Sequence, residues 1–151
     1  ALSADLDGGK FVTLLLVRLD PRKRSLQYAG AGHIPGYLLG AAGEVRHLVE
    51  SAGSPLGLFP DQQYCSGPQI PVEDGETLVL LTDGITETRS VPGHEFGAGR
   101  VLEYVKGHPR SGANELIQYL HQAARTFAGG QDLGDDASLI VARVGPETTA
   151  R

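Results

Sequence analysis

The sequence predicts an α+β fold in which helices cover an antiparallel sheet, and three observations carry that expectation. Short apolar runs separated by Gly-, Pro- and Asp-rich turns fill the chain from Phe11 to Thr82. Apolar residues at helical spacing follow, first at Val101, Leu102 and Val105 and then from Leu116 to Phe127. A last apolar run, Ala137 to Val144, closes the pattern.

A chain of 151 residues is one domain or a piece of one. Its 40% hydrophobic content is enough for a core, and 21 Gly and 9 Pro imply many turns and short elements. The net charge is −5, and the one basic cluster, Arg22-Lys23-Arg24, lies between two apolar runs as a hairpin turn would. That argues against a nucleic-acid partner, which needs a clustered basic face. Phe11 to Val17, the longest apolar run, is far too short to span a bilayer, so no membrane contact is expected. The single Cys65 has no partner for an internal disulfide, and no signal peptide is visible, which fits a cytoplasmic location. The chain lacks Met and begins Ala1-Leu2-Ser3, so it reads as a fragment.

Ala1 to Lys10 is polar, and its Asp5-Leu6-Asp7-Gly8 has no apolar strand before it, so it reads as a loop. Phe11 to Asp20 and Leu26 to Ala29 read as a hairpin around the turn Pro21 to Ser25. Ile34 to Leu39, disturbed by Pro35 and Gly36, and Glu44 to Val49 extend this into a four-stranded meander. Ser51 to Pro60 is an irregular loop expected to tuck Leu56, Leu58 and Phe59 onto the core. A short strand is expected near Gln69 to Val72, before the Asp74-Gly75 turn. Thr77 to Thr82 is a Leu- and Val-rich run that stops at Asp83-Gly84, the signature of a buried strand ending in a turn. Arg89 to Gly99 is a mostly polar loop, and Ala98 to Lys106 is a helix closed by Gly107 and Pro109. Ser111 to Ala128 is the clearest helix, with a core stripe of Leu116, Ile117, Leu120, Ala123, Ala124 and Phe127. Ser111 or Asn114 is expected to cap its start, and Gly129-Gly130 to end it.

Two acidic positions share one context. Asp83 follows a buried strand, whereas Asp135 and Asp136 precede one. If those strands pair antiparallel, the carboxylates converge at one sheet edge and repel unless a cation sits between them. Hard oxygen donors favour Mg²⁺ or Mn²⁺, and no Cys pair or His-x-x-x-His pattern calls for zinc. The plainer alternatives are an Asp-Gly turn and an acidic loop. His33, after Gly30-Ala31-Gly32, is a ligand, a proton donor or a packed polar residue. His47, His94, His108 and His121 have no convergent context and read as surface residues. Cys65 has no basic neighbour in sequence, and Ser138 lies in no Gly-x-Ser-x-Gly elbow.

Six short motifs stand in order: Phe11-Val12-Thr13-Leu14, Ala31-Gly32-His33, Pro55-Leu56-Gly57-Leu58, Thr82-Asp83-Gly84-Ile85-Thr86-Glu87, Phe96-Gly97 and Asp135-Asp136-Ala137-Ser138. In that order they resemble the PPM family of metal-dependent serine/threonine phosphatases, in the bacterial branch of stage II sporulation protein E and the sigma-factor regulators. The resemblance implies an antiparallel β-sandwich flanked by helices and two Mn²⁺ or Mg²⁺ ions bridged by carboxylates. It implies attack of a metal-activated water on a phosphoserine or phosphothreonine of a regulatory protein, such as an anti-sigma-factor antagonist. Matched by motif, Asp83 and Asp135 are the metal-binding and catalytic residues. Gly84, Glu87, His33 and Asp136 are motif residues beside them, the roles of His33 and Asp136 being open.

The family's earlier motifs, a Gly-Asp followed shortly by an Asp and a Gly-His-Gly, have no counterpart before Phe11. Residues 1–145 are therefore expected to form an N-terminally incomplete phosphatase domain, followed by a polar tail at 146–151. Half a binuclear site implies weak metal binding and turnover, and sheets short of strands invite pairing with another copy as a homo-oligomer. The alternative is a non-catalytic phosphatase-fold module that binds a regulatory partner. A nucleotide hydrolase is disfavoured because no Gly-x-x-x-x-Gly-Lys loop is present.

Overall fold

The computed structural model describes residues 10–59, 61–131 and 133–145. Asp5, Asp7 and the expected polar tail at 146–151 lie outside the described residues. The chain divides into two compact units, Ala1–Pro35 with Val49–Glu73, and Gly36–Leu48 with Asp74–Arg151.

The first unit holds β1 (Leu14–Asp20), β2 (Ser25–Ala31) and β5 (Ile70–Pro71), in the sheet order β1-β2-β5. β1 and β2 form the expected antiparallel hairpin, in register from Leu14 opposite Ala31 to Asp20 opposite Ser25. The Asp20 carboxylate closes the turn by accepting the Arg22 and Lys23 N–H groups at 3.1 and 3.0 Å. Among the described residues β1 is an edge strand, and Leu14 and Leu16 on it are exposed. Val12 and Leu56 exchange both backbone hydrogen bonds, at 2.9 and 2.8 Å, which anchors the Pro-rich loop. That anchor does not carry Leu58 and Phe59 inward. They are 45% and 60% exposed, contrary to expectation, because the chain turns back at Gly57, whose φ is +94°, and leads them away.

The second unit holds β3 (Gly36–Leu39), β4 (Val45–Val49), β6 (Thr77–Leu81) and β7 (Leu139–Arg143), in the sheet order β4-β3-β6-β7. The first four strands are thus not one meander, since β2 and β3 belong to different sheets. β2 gives its second edge to β5, with Leu26 opposite Ile70. Beyond β2, Gly32 adopts φ +64° and donates its N–H to the Gly53 carbonyl at 2.7 Å, and Pro35 has no N–H to offer a ladder. β3 then pairs with β6, Tyr37 lying opposite Val79.

β6 is central in its sheet, and Thr77, Leu78, Val79 and Leu81 are buried. Both of its faces are covered, which is why it reads as a continuous apolar run rather than an alternating one. Glu76, just ahead of it, is 2% exposed and is paired with Arg46. Three helices follow: α1 (Asp83–Thr86), α2 (Gly97–Gly107) and α3 (Ala113–Phe127).

α3 buries Leu116, Leu120, Ala123 and Ala124 of the expected stripe, leaves Ile117 and Phe127 half-buried, and packs on β7. Its cap is Gly112 rather than Ser111 or Asn114, and the Glu115 carboxylate accepts the Gly112 N–H at 3.0 Å. The Ser111 carbonyl instead accepts from Arg143 on β7. Gly129 and Gly130 end the helix with φ of +70° and +79°. His108 is not simply a surface residue: its ring is half-buried, parallel to Tyr104 and 4.7 Å from Tyr119. Leu120 is fully buried, so Leu120→Ala should cost about 2–5 kcal/mol, read as a lower urea midpoint with an unchanged slope.

Candidate metal-binding site

β6 and β7 pair antiparallel, from Thr77 opposite Arg143 to Leu81 opposite Leu139. The direction of that pairing sets the residues after β6 beside the residues before β7. Asp83 and the Asp135-Asp136 segment therefore come to one end of the sheet, and all three aspartates are exposed. The two segments lie side by side at the sheet end, as the strand pattern predicts. The Thr82 N–H donates to the Ser138 carbonyl at 3.0 Å, one step beyond the last strand pair.

At that point the ladder changes hands. The Thr82 carbonyl accepts the Ile85 N–H at 3.2 Å and opens α1, so it is turned away from the Ser138 N–H. The Thr82 hydroxyl takes its place: Oγ1 accepts the Ser138 N–H at 2.8 Å and donates to the Asp136 carbonyl at 3.3 Å. A Thr before a helical turn ordinarily caps that turn with its hydroxyl, yet Thr82 makes no such bond. Asp83 Oδ1 accepts the Gly84 N–H at 3.1 Å instead.

Gly84 is buried, and a Cβ there would lie 2.5 Å from the Asp136 carbonyl oxygen and 2.9 Å from its carbon. The absent side chain is what lets α1 approach the Asp135-Asp136 segment. The Gly84 carbonyl in turn accepts from the buried Thr88 hydroxyl at 2.8 Å. Glu87 is exposed at the end of α1, and its N–H donates to the Asp83 carbonyl at 2.7 Å. Asp135 Oδ1 accepts the Asp136 N–H at 2.7 Å. Asp136 reaches the site through its backbone, by the carbonyl held between Thr82 and Gly84.

His33 belongs to the first unit and is half-buried. Its N–H donates to the Ser51 hydroxyl at 3.0 Å, and that hydroxyl donates back to the His33 carbonyl at 3.1 Å. Its Nδ1 lies 2.8 Å from the Ile34 carbonyl. A carbonyl only accepts, so Nδ1 carries the proton and Nε2 holds the lone pair of the neutral ring.

A family model, Stage II sporulation protein E (SpoIIE), matches residues 1–145. The chain belongs to the SpoIIE family. It is 29% identical over 139 residues to the phosphoserine phosphatase RsbU of Bacillus subtilis, an alignment covering 92% of this chain and 41% of RsbU. The SiaA-PP2C domain of Pseudomonas aeruginosa superposes with a TM-score of 0.73 at 26% identity, over 87% of this chain and 51% of that one. The Mn-presoaked phosphatase domain of SpoIIE from Bacillus subtilis shares the fold at a TM-score of 0.67 and 21% identity, over 92% of this chain and 59% of that one. The chain thus spans about two fifths of RsbU and between half and three fifths of the two solved domains. The α+β class, the antiparallel sheets and the PP2C-type fold are as the sequence predicts.

The donor chemistry fits an oxygen-preferring divalent cation. Asp83 and Asp135 each use Oδ1 for a neighbouring backbone N–H, which leaves the second carboxylate oxygen as a hard donor. Among the described residues, no three or more His, Cys, Asp or Glu side chains gather closely enough to hold a metal ion by themselves. Two carboxylates suit Mg²⁺, which typically keeps several waters and binds through one or two carboxylates plus substrate phosphate. No helix among the described residues is long and apolar enough to cross a membrane.

Thr82 and Ser138 stand in the sequence motifs, but the sequence assigns neither a role in the site. The available signal was a hydroxyl residue at the junction of an apolar strand and a helical turn, which can serve either element. Gly84→Ala should force the Asp135-Asp136 segment away. That overpacking should cost about 1–3 kcal/mol, seen as a lower melting temperature together with weaker Mn²⁺ binding by calorimetric titration.

Proposed function

We propose that this chain is the larger part of a metal-dependent protein serine/threonine phosphatase domain, in which Asp83 and Asp135 hold Mn²⁺ or Mg²⁺. The observation that carries this reading is the β6–β7 pairing, which sets the two motif aspartates at one sheet end in a chain of the SpoIIE family. The named activity of RsbU supports phosphoserine as the substrate class. A phosphorylated regulatory protein of the anti-sigma-factor antagonist type is the proposed partner.

The residues divide the work as follows. Asp83 and Asp135 would hold the cations from two strands that share a ladder, so their separation is fixed before substrate arrives. A divalent ion held by these two carboxylates would supply Lewis-acid chemistry there, making a bound water more acidic and offsetting phosphoryl charge. The N–H groups of Gly84 and Asp136 orient the carboxylates. Glu87, on the exposed end of α1, adds negative charge at the same sheet end and favours cation over anion. His33 uses Nδ1 toward the Ile34 carbonyl, which leaves Nε2 as the ring nitrogen for a further partner in its own unit.

A non-catalytic partner-binding module would have no use for two exposed aspartates held at one sheet end, so the enzyme reading is preferred. Phosphate release from a phosphoserine peptide should require Mn²⁺ or Mg²⁺ and stop with EDTA. It should fall to background in Asp83→Asn and Asp135→Asn. Equal rates for Asp83→Asn and the unsubstituted protein would sink the assignment.

A further inference from the structure

We propose that Thr82 is a positioning residue whose hydroxyl sets the separation of Asp83 and Asp135 and thereby the affinity for the divalent cation. The proposal rests on the reading that these aspartates are ligands, and it assigns the control of that site to a side chain that need not touch the metal.

Thr82 and Ser138 are the first pair beyond Leu81 and Leu139. In an uninterrupted ladder the Ser138 N–H would donate to the Thr82 carbonyl. That carbonyl is spent on Ile85, because the chain must coil into α1 to present Asp83. Without a substitute the Ser138 N–H would lose its partner and β7 would fray from its first residue. Thr82 Oγ1 supplies the substitute at 2.8 Å. Its proton then points to the Asp136 carbonyl, so one hydroxyl ties together the junction that leads from β6 into Asp83 and the segment that carries Asp135.

Two further observations show that this use of the hydroxyl is selective. The N-cap geometry of Thr82, φ −91° and ψ 163°, suits a side-chain cap on α1, and the hydroxyl declines it. The same Asp136 carbonyl also fills the space where a Gly84 Cβ would stand. The segment before β7 is therefore pulled by Thr82 while Gly84 leaves it room. Shape and hydrogen bonding act on one peptide unit, adjacent to Asp135.

The test uses Thr82→Val, which keeps the branched shape and removes the hydroxyl, and Thr82→Ser, which keeps the hydroxyl. MnCl₂ is titrated calorimetrically into each, with Asp83→Asn alongside. Thr82→Val should bind Mn²⁺ about tenfold more weakly, the lower end of what removing a ligand-orienting hydrogen bond costs. Thr82→Ser should bind as the unsubstituted protein does. Far-UV circular dichroism without metal should be alike for all three. Full affinity in Thr82→Val, with binding lost in Asp83→Asn, would overturn the positioning role and leave the metal assignment standing. Full affinity in Asp83→Asn would overturn both. Equally weak binding in Thr82→Ser and Thr82→Val would also overturn the proposal, since the hydroxyl would then not be the cause. Amide exchange gives a check that needs no variant: the Ser138 N–H should be protected, and exchange at the rate of a free amide would count against the proposal.

Discussion

The candidate site depends on the antiparallel pairing of β6 with β7. β6 is a central strand covered on both faces, so its position is fixed by packing that has nothing to do with chemistry. β7 inherits that position through the ladder, and α3 packs against β7. Register then decides the rest. A slip of one residue would turn every β7 side chain to the opposite face and move Asp135 relative to Asp83. Arg143, which reaches the Pro109 and Ser111 carbonyls, and Glu76, whose carbonyl accepts the Val144 N–H at 2.8 Å, pin that register at the end far from the aspartates.

A buried strand makes a stiff mount but a poor donor, because its polar groups are already paired. The chain resolves this at Thr82-Asp83-Gly84, where one residue leaves the ladder, the next carries the carboxylate and the third gives up its side chain. Asp83 is exposed while Gly84 and Ile85 directly after it are buried. Rigid support on one side and water on the other is the condition under which a carboxylate can hold a cation and still admit substrate. The same three positions would look like an ordinary Asp-Gly turn if β7 were not beside them.

Much of this was legible in the sequence, and the failures have physical causes. The hairpin, the central strand, both long helices and the arrival of the Asp83 and Asp135-Asp136 segments at one sheet end follow from apolar periodicity and from the direction of a strand pair. Partner choice between strands does not follow, which is why β2 and β3 look like neighbours until Gly32 and Pro35 are seen to break the run. Leu58 and Phe59 show that apolar character does not ensure burial when Gly57 leads the chain outward. Gly112 displaces Ser111 as a cap because the Glu115 carboxylate reaches back and satisfies the end without a hydroxyl. The role of Thr82 was hidden for a related reason: its hydroxyl serves a segment 56 residues away, and local patterns carry no record of such a partner.

That separation has a consequence for how the protein is made. Among the described residues, the three helices all lie between Thr82 and Ser138, and the hydroxyl bond spans 56 positions. Contacts of such range are closed late, because the entropy of the intervening loop must be lost before the contact returns anything. Helices α2 and α3 can shorten that loop by folding first through local hydrogen bonds. The two aspartates would then meet only once the helical segment is in place. During synthesis, Asp83 emerges well before Asp135, and the two segments come together at this sheet end only as β7 is added.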